Sequence, residues 1–122
     1  MSNQSTTLNS SLSQLRNRIL SSVEFVLGDY VQLRFDGPTL TAYNQPVVTL
    51  PQKTLSWGQE GYRDALCGRI GIKVEHTTII EDNDLAIYFE DDTVFRVSLR
   101  EEDYRSIEAV YFVEEGGSFW VL

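Results

Sequence analysis

LRNRILSSVE (Leu15 to Glu24) returns near the middle of the chain as LCGRIGIKVE (Leu66 to Glu75). Leu15/Leu66, Arg18/Arg69, Ile19/Ile70, Val23/Val74 and Glu24/Glu75 stand at the same offsets. Each copy runs on into an alternating strand and a turn, YVQLRFDGPT (Tyr30 to Thr39) and DLAIYFEDDT (Asp84 to Thr93). There Val31, Leu33, Phe35 and Asp36 answer to Leu85, Ile87, Phe89 and Glu90. The second match is spaced three residues wider, which assigns a longer loop to Glu81–Asp84. The chain reads as one structural unit written twice, over about residues 8–50 and 62–114. A flexible start at 1–7 and a closing hairpin at 115–122 complete it.

Around this repeat the periodicity predicts the elements. Leu8, Leu12, Leu15 and Ile19 mark one face of an amphipathic helix over roughly 8–22, capped by Thr7 or Asn9. Alternation predicts strands through Val23–Leu27, Val31–Phe35 and Leu40–Tyr43, with turns at Gly28-Asp29 and Asp36-Gly37-Pro38. Pro46 and Pro51 restrict Val47–Leu50 to an edge strand, and Gln52–Gly61 reads as the loop joining the copies. A short helix is expected near Tyr62–Gly68, with Cys67 buried or half-buried. A long strand follows, with Ile72, Val74, His76, Thr78 and Ile80 on one face and Ile79 on the other. Leu85–Phe89 and Phe95–Leu99 form the next hairpin, Glu101–Ser106 one helical turn, and Ala109, Tyr111 and Val113 a strand before the Glu115-Gly116-Gly117 turn. The fold class is α+β: two tandem helix–β-hairpin–strand repeats in one β-rich, mostly antiparallel domain spanning 1–122.

Parity separates the two copies at their hairpin tips. Phe89 and Phe95 share a face only across an odd loop, Glu90-Asp91-Asp92, with Asp92 in the left-handed position. Phe35 and Leu40 share a face only across an even one. The repeat should therefore hold in its strands and differ at these tips.

The net charge of −8 belongs entirely to residues 62–122, with 14 acids and six bases; residues 1–61 carry four of each. An acidic field opposes nucleic acid, whose phosphates need Lys and Arg, and steers a basic protein partner. No run of 18 apolar residues marks a membrane span, and no signal peptide is apparent. The single cysteine fits a reducing compartment, and cytoplasm is the expected location.

Chemistry-bearing motifs are sparse. His76 is the only histidine and reads as a strand residue, so no metal site, cofactor or catalytic residue is assigned. The phosphate-loop, dinucleotide and nucleophile-elbow patterns are missing from the sequence. The acids of 81–84 and 90–92 read as solvated turns. Candidate partner-binding residues are the aromatics Tyr43, Trp57, Tyr62 and Tyr104 and the acids Glu90, Asp91, Asp92, Glu101 and Asp103. Trp57, in the polar loop LSWGQ, is expected to fold back over the junction between the copies.

The second copy also carries a longer pattern: Leu66, Ile70-Gly71, Val74, Leu85, Ile87, Phe89-Glu90-Asp91, Thr93, Phe95 and Val97, then SLREEDYRSIEAVYF (Ser98 to Phe112). This resembles a family of small, largely uncharacterised bacterial proteins, and VEFVLGDYVQLRFDGPTLTAYNQPVV (Val23 to Val48) looks like that family's N-terminal half. The chain departs from the pattern at Asp92, where the family commonly has Gly, and at Ser106-Ile107, where Gly-Pro is usual. The resemblance implies hairpins with flanking helices, and some such domains look like immunity or accessory proteins of toxin systems. The leading expectation is a non-enzymatic protein-binding module with a basic partner, homodimerisation being compatible. The alternative is an enzyme or small-ligand binder with its site in the cleft between the repeats.

Overall fold

A computed structural model describes residues 3–122, with side chains from Leu8 onward. Helix α1 (Asn3–Leu12) runs into one 3-10 turn (Ser13–Leu15) and buries Leu8, Leu12 and Leu15. The helix predicted over 8–22 therefore lies further toward the N-terminus; the flexible start expected at 1–7 falls mostly on side chains outside those described. Arg16 is extended and Asn17 takes a left-handed φ of 69°, so Leu20 reaches the core from extended chain. The helical reading put Ile19 on the buried face, but Ile19 is 44% exposed and Leu20 is buried in its stead, because the chain leaves the helix at Arg16.

Two five-stranded antiparallel sheets enclose one core. Strands β1 (Ser22–Val26), β2 (Tyr30–Arg34) and β3 (Thr39–Ala42) form a meander that is continued by β9 (Val110–Val113) and β10 (Phe119–Val121). In the other sheet, β6 (Val74–Ile80), β7 (Asp84–Phe89) and β8 (Val94–Ser98) are continued by β4 (Val47–Thr49) and the two-residue β5 (Thr54–Leu55). Each three-strand meander is thus completed by a hairpin from elsewhere in the chain. Strand β4 pairs on both sides, with β5 and β8, so it is not the edge strand that its flanking prolines suggested. Pro46 and Pro51 lie just outside it and cost no ladder hydrogen bond.

The inward positions alternate as a half-buried sheet requires: Val31 and Leu33, Leu40 and Ala42, Val110 and Phe112 on one side, Leu85 and Ile87, Phe95 and Val97 on the other. Two expected faces are corrected. The β6–β7 register shifts between Val74 and His76, so Val74 and Ile79 are buried while His76 and Ile80 are exposed. A bulge rephases the strand, and simple alternation misses it. In β9 the buried residues are Val110 and Phe112, not Tyr111 and Val113.

The loops of β1–β2 and β6–β7 are equal in length, since Val26 faces Tyr30 and Ile80 faces Asp84. The extra three residues assigned to Glu81–Asp84 are not there. Between the sheets, Asn17 N–H donates to Val74 O and Gly71 N–H to Leu20 O, both at 2.8 Å. Leu20 N–H donates to Ile72 O at 3.2 Å and Val74 N–H to Arg18 O at 2.9 Å. The exchange is reciprocal: Leu20 plays toward 71–74 the part that Val74 plays toward 17–20. The Val23/Val74 match of the sequence does not survive in the backbone.

The β7–β8 tip is the odd loop Glu90-Asp91-Asp92, with Phe89 N–H bonded to Thr93 O and Asp92 at φ 68°. The β2–β3 tip is even, with Phe35 N–H bonded to Pro38 O around Asp36-Gly37 at φ 56° and 134°. Helix α2 (Tyr62–Cys67) buries Tyr62, Ala65 and Leu66 and leaves Cys67 exposed rather than buried. Helix α1 is tied down by a short relay: Trp120 Nε1 donates to Ser11 Oγ (2.8 Å), which donates to Glu114 Oε2 (2.7 Å). These bonds from Ser11 and Gln14 hold the Glu114 carboxyl below the usual carboxylate range.

Candidate partner-binding surface

The loop after β5 is shaped by Gln59, whose side-chain oxygen accepts the Ser56 N–H at 2.6 Å. This returns Trp57 onto the core between Phe25 (ring centroids 6.4 Å apart) and Tyr62 (5.8 Å, edge-to-face). Tyr62 is 2% exposed, and its hydroxyl donates to Pro46 O at 2.8 Å. Burial pushes that hydroxyl's pKa well above its ordinary value. The cleft that Trp57 closes, lined by Val26, Tyr30, Ala42, Tyr43 and Pro46, has a volume of about 10 Å³. That is room for roughly one water molecule.

The expected acids lie elsewhere. Glu101 and Asp103 belong to a separate 3-10 turn (Glu101–Asp103), where Asp103 accepts a 2.6 Å hydrogen bond from Ser98 Oγ. Asp103 borders an open surface hollow of about 260 Å³ with Asp84, Arg96 and Arg100. Tyr104 rests half-buried against the core beside another hollow, which Leu8, Leu99 and Leu122 also line. At the β7–β8 tip, Asp91 is already engaged: Arg69 pairs with it at 2.6 Å and Thr93 N–H donates to it at 3.2 Å. Arg69 also donates to Thr93 Oγ1. Glu90 and Asp92 remain exposed at this tip. The residues singled out in the sequence thus fall in three separate places: Tyr43, Trp57 and Tyr62 around the cleft, Glu90, Asp91 and Asp92 at the β7–β8 tip, and Glu101, Asp103 and Tyr104 at the second 3-10 turn. Among the described residues no three His, Cys, Asp or Glu side chains converge on a metal-ion position, and no helix is long and apolar enough to cross a membrane.

Another surface was missed. Tyr30 and Tyr111 occupy outward positions of β2 and β9, and Tyr43 continues the outward side of β3. Tyr30 and Tyr43 meet edge-to-face at 5.9 Å and 73°, and Tyr111 meets Phe119 at 5.5 Å. Phe119 is 63% exposed. Burial raises the Tyr43 pKa, and the neighbouring Glu108, Asp29, Tyr30 and Tyr111 raise it further. The signal was present in the sequence: Tyr30 and Tyr111 each alternate with core residues, Val31 and Phe112. Taking Tyr111 as an inward residue hid it.

No family model, no curated protein and no solved structure matches this chain.

Proposed function

We propose that this chain is a non-enzymatic protein-binding module with a basic partner, of the immunity or accessory type that its sequence pattern resembles. The observation that carries the reading is the narrow cleft between Tyr43 and Trp57, about 10 Å³ against the several hundred that a small-molecule site needs. That speaks against an enzyme or ligand binder with its site there. A separate hollow of about 280 Å³ is lined by the loop residues 57–64. The net charge of −8 supports a basic partner, since complementary fields speed encounter and reject like-charged proteins.

The domain itself is read as one unit duplicated, with the completing hairpins exchanged. Asn17 and Gly71, Leu20 and Val74, Gly28 and Asp82, Tyr30 and Asp84, and Phe35 and Phe89 all stand at one constant interval. The first and third pairs share left-handed backbone, at φ 69° and 94° and at 74° and 60°. The strand orders β1-β2-β3-β9-β10 and β6-β7-β8-β4-β5 support the same correspondence.

The reading is tested by capturing proteins from bacterial lysate on the immobilised chain at low and at high salt. Basic proteins held at low salt and released at high salt are expected. Retention of neutral or acidic proteins only, or retention that salt does not change, would overturn it.

A further inference from the structure

We propose that the outward face around Tyr30 and Tyr43, flanked by Asp29 and Glu108, receives a guanidinium or ammonium side chain of the partner. The proposal rests on the basic-partner reading and assigns it a place.

Geometry comes first. Tyr43 extends β3 just beyond Ala42, which faces Val31 on one side and Val110 on the other. That register sets Tyr43 between the start of β2, where Tyr30 stands, and the start of β9, where Tyr43 N–H bonds Ala109 O at 2.8 Å. Asp29 immediately precedes Tyr30, and Glu108 immediately precedes Ala109. Two carboxylates from opposite ends of the chain therefore flank one aromatic pair. An edge-to-face pair leaves at least one ring with faces its partner does not cover. A cation over a tyrosine face is attracted by the ring quadrupole, and more strongly when carboxylates stand beside it.

Charge selects the occupant. Among the described residues, neither Asp29 nor Glu108 is in an ion pair, whereas Glu24 on the same sheet is already paired with Arg34 at 3.4 Å. The charged groups that act on the Tyr43 hydroxyl are Glu108 and Asp29, with no base among them. Arg105 lines the same cleft as Asp29, Tyr30 and Tyr43, so the two carboxylates Asp29 and Glu108 outnumber one base here. An anionic partner would meet two carboxylates here, and a purely apolar one would strand them. Arginine suits the place best, because its planar guanidinium can stack on a ring while donating to a carboxylate. Beyond this point the face continues through Tyr111 to the exposed Phe119, a platform for apolar side chains beside the cation.

The test titrates the whole chain at low salt with an acetylated, amidated peptide of alternating arginine and glycine, read by calorimetry and by amide chemical shifts. A citrulline version of the peptide supplies the neutral isostere. Expected are shifts centred on Asp29, Tyr30, Tyr43, Glu108 and Tyr111, and weak or no binding of the citrulline peptide. Tyr43→Leu and Glu108→Gln should each weaken binding roughly threefold to tenfold, while Tyr43→Phe stays within about twofold. Glu108→Gln barely changes shape and keeps the test valid if Tyr43→Leu folds poorly. Asp92→Asn, which removes the same charge at the β7–β8 tip, should change little. Shifts centred on 90–92, with Asp92→Asn as damaging as Glu108→Gln, would overturn this placement and leave the basic-partner reading standing. Equal binding of the citrulline peptide would overturn the role of the cation. No binding of the arginine peptide at low salt would remove both.

Discussion

On one sheet the outward residues include Tyr30, Tyr111 and Phe119, with Tyr43 beside them; on the other the corresponding strands turn out Asp84, Arg96, Val94 and Val47. The second face carries one exposed aromatic stack, His76 on Tyr88 at 4.2 Å and 11°, and a line of small or β-branched residues. Inward, the sheets are alike. Leu33 faces Leu40 and Ile87 faces Phe95, each fully buried in the third-strand pairing of its sheet. A shared interior constrains both inner faces through close packing, whereas outward positions answer only to solvent or a partner. The difference therefore directs attention to the aromatic face, and it can be attacked from both sides.

The largest effect should come from the feature the sheets share. Phe95→Ala is expected to cost about 3–5 kcal/mol and Leu40→Ala about 2–5, measured by urea unfolding, because each leaves a cavity in one continuous core. Both variants should unfold in a single transition. A separate early transition for either would mean that the sheets are independent, and the comparison of like interiors would fail.

The hairpin tips offer a middle-sized test. Arg69 and Arg18 each reach a tip, Arg69 to Asp91 and Thr93, Arg18 to the Asp36 carbonyl at 3.3 Å and to Glu115. Arg69 is the more buried, with 17% of its side chain exposed against 32%. Thr93 is fully buried and would lose its donor. Arg69→Ala should therefore cost about 1–3 kcal/mol. Arg18→Ala should cost about 0–1, as an exposed pair does. Thermal unfolding giving equal losses would erase the distinction between the tips.

The smallest effects concern the tip backbones. Gly37, at φ 134°, would set a new Cβ 3.3 Å from Glu115 Cγ, so Gly37→Ala should destabilise by about 1–2 kcal/mol. Asp92 holds a left-handed φ of 68° with a side chain, and Asp92→Gly should be neutral or stabilising by up to about 1 kcal/mol. Opposite signs in chemical denaturation sharpen the contrast. A loss at Asp92→Gly would show that its carboxylate does something at this tip.

Strands and tips were largely legible in the sequence because period two and loop parity are local properties. The odd Glu90-Asp91-Asp92 loop follows from Phe89 and Phe95 alone. Three things were not legible. The left-handed turn at Asn17 draws its support from Val74, far away in the chain. The shift after Val74 changes which side chains face the core without changing composition. The partner of β3 is β9, and nothing near Leu40 announces it. The candidate surface failed for a related reason: Tyr43, Asp29 and Glu108 come together only through that long-range pairing. The arginines Arg18 and Arg69 are a partial exception. Matched in the sequence, each of them reaches a hairpin tip in the structure.

The strand order of the first sheet sets the order in which this protein can be assembled. Strand β3 is made early, but its second neighbour is encoded close to the last described residue, so the first meander must wait with one edge bare. The second sheet draws all five strands from the stretch Val47–Ser98, whereas the first must bridge from Ala42 to Val110, and loop closure over such a separation slows folding. A ribosome-bound chain stalled before β9 would present Leu40 and Ala42 on an unpaired edge, a natural substrate for chaperones.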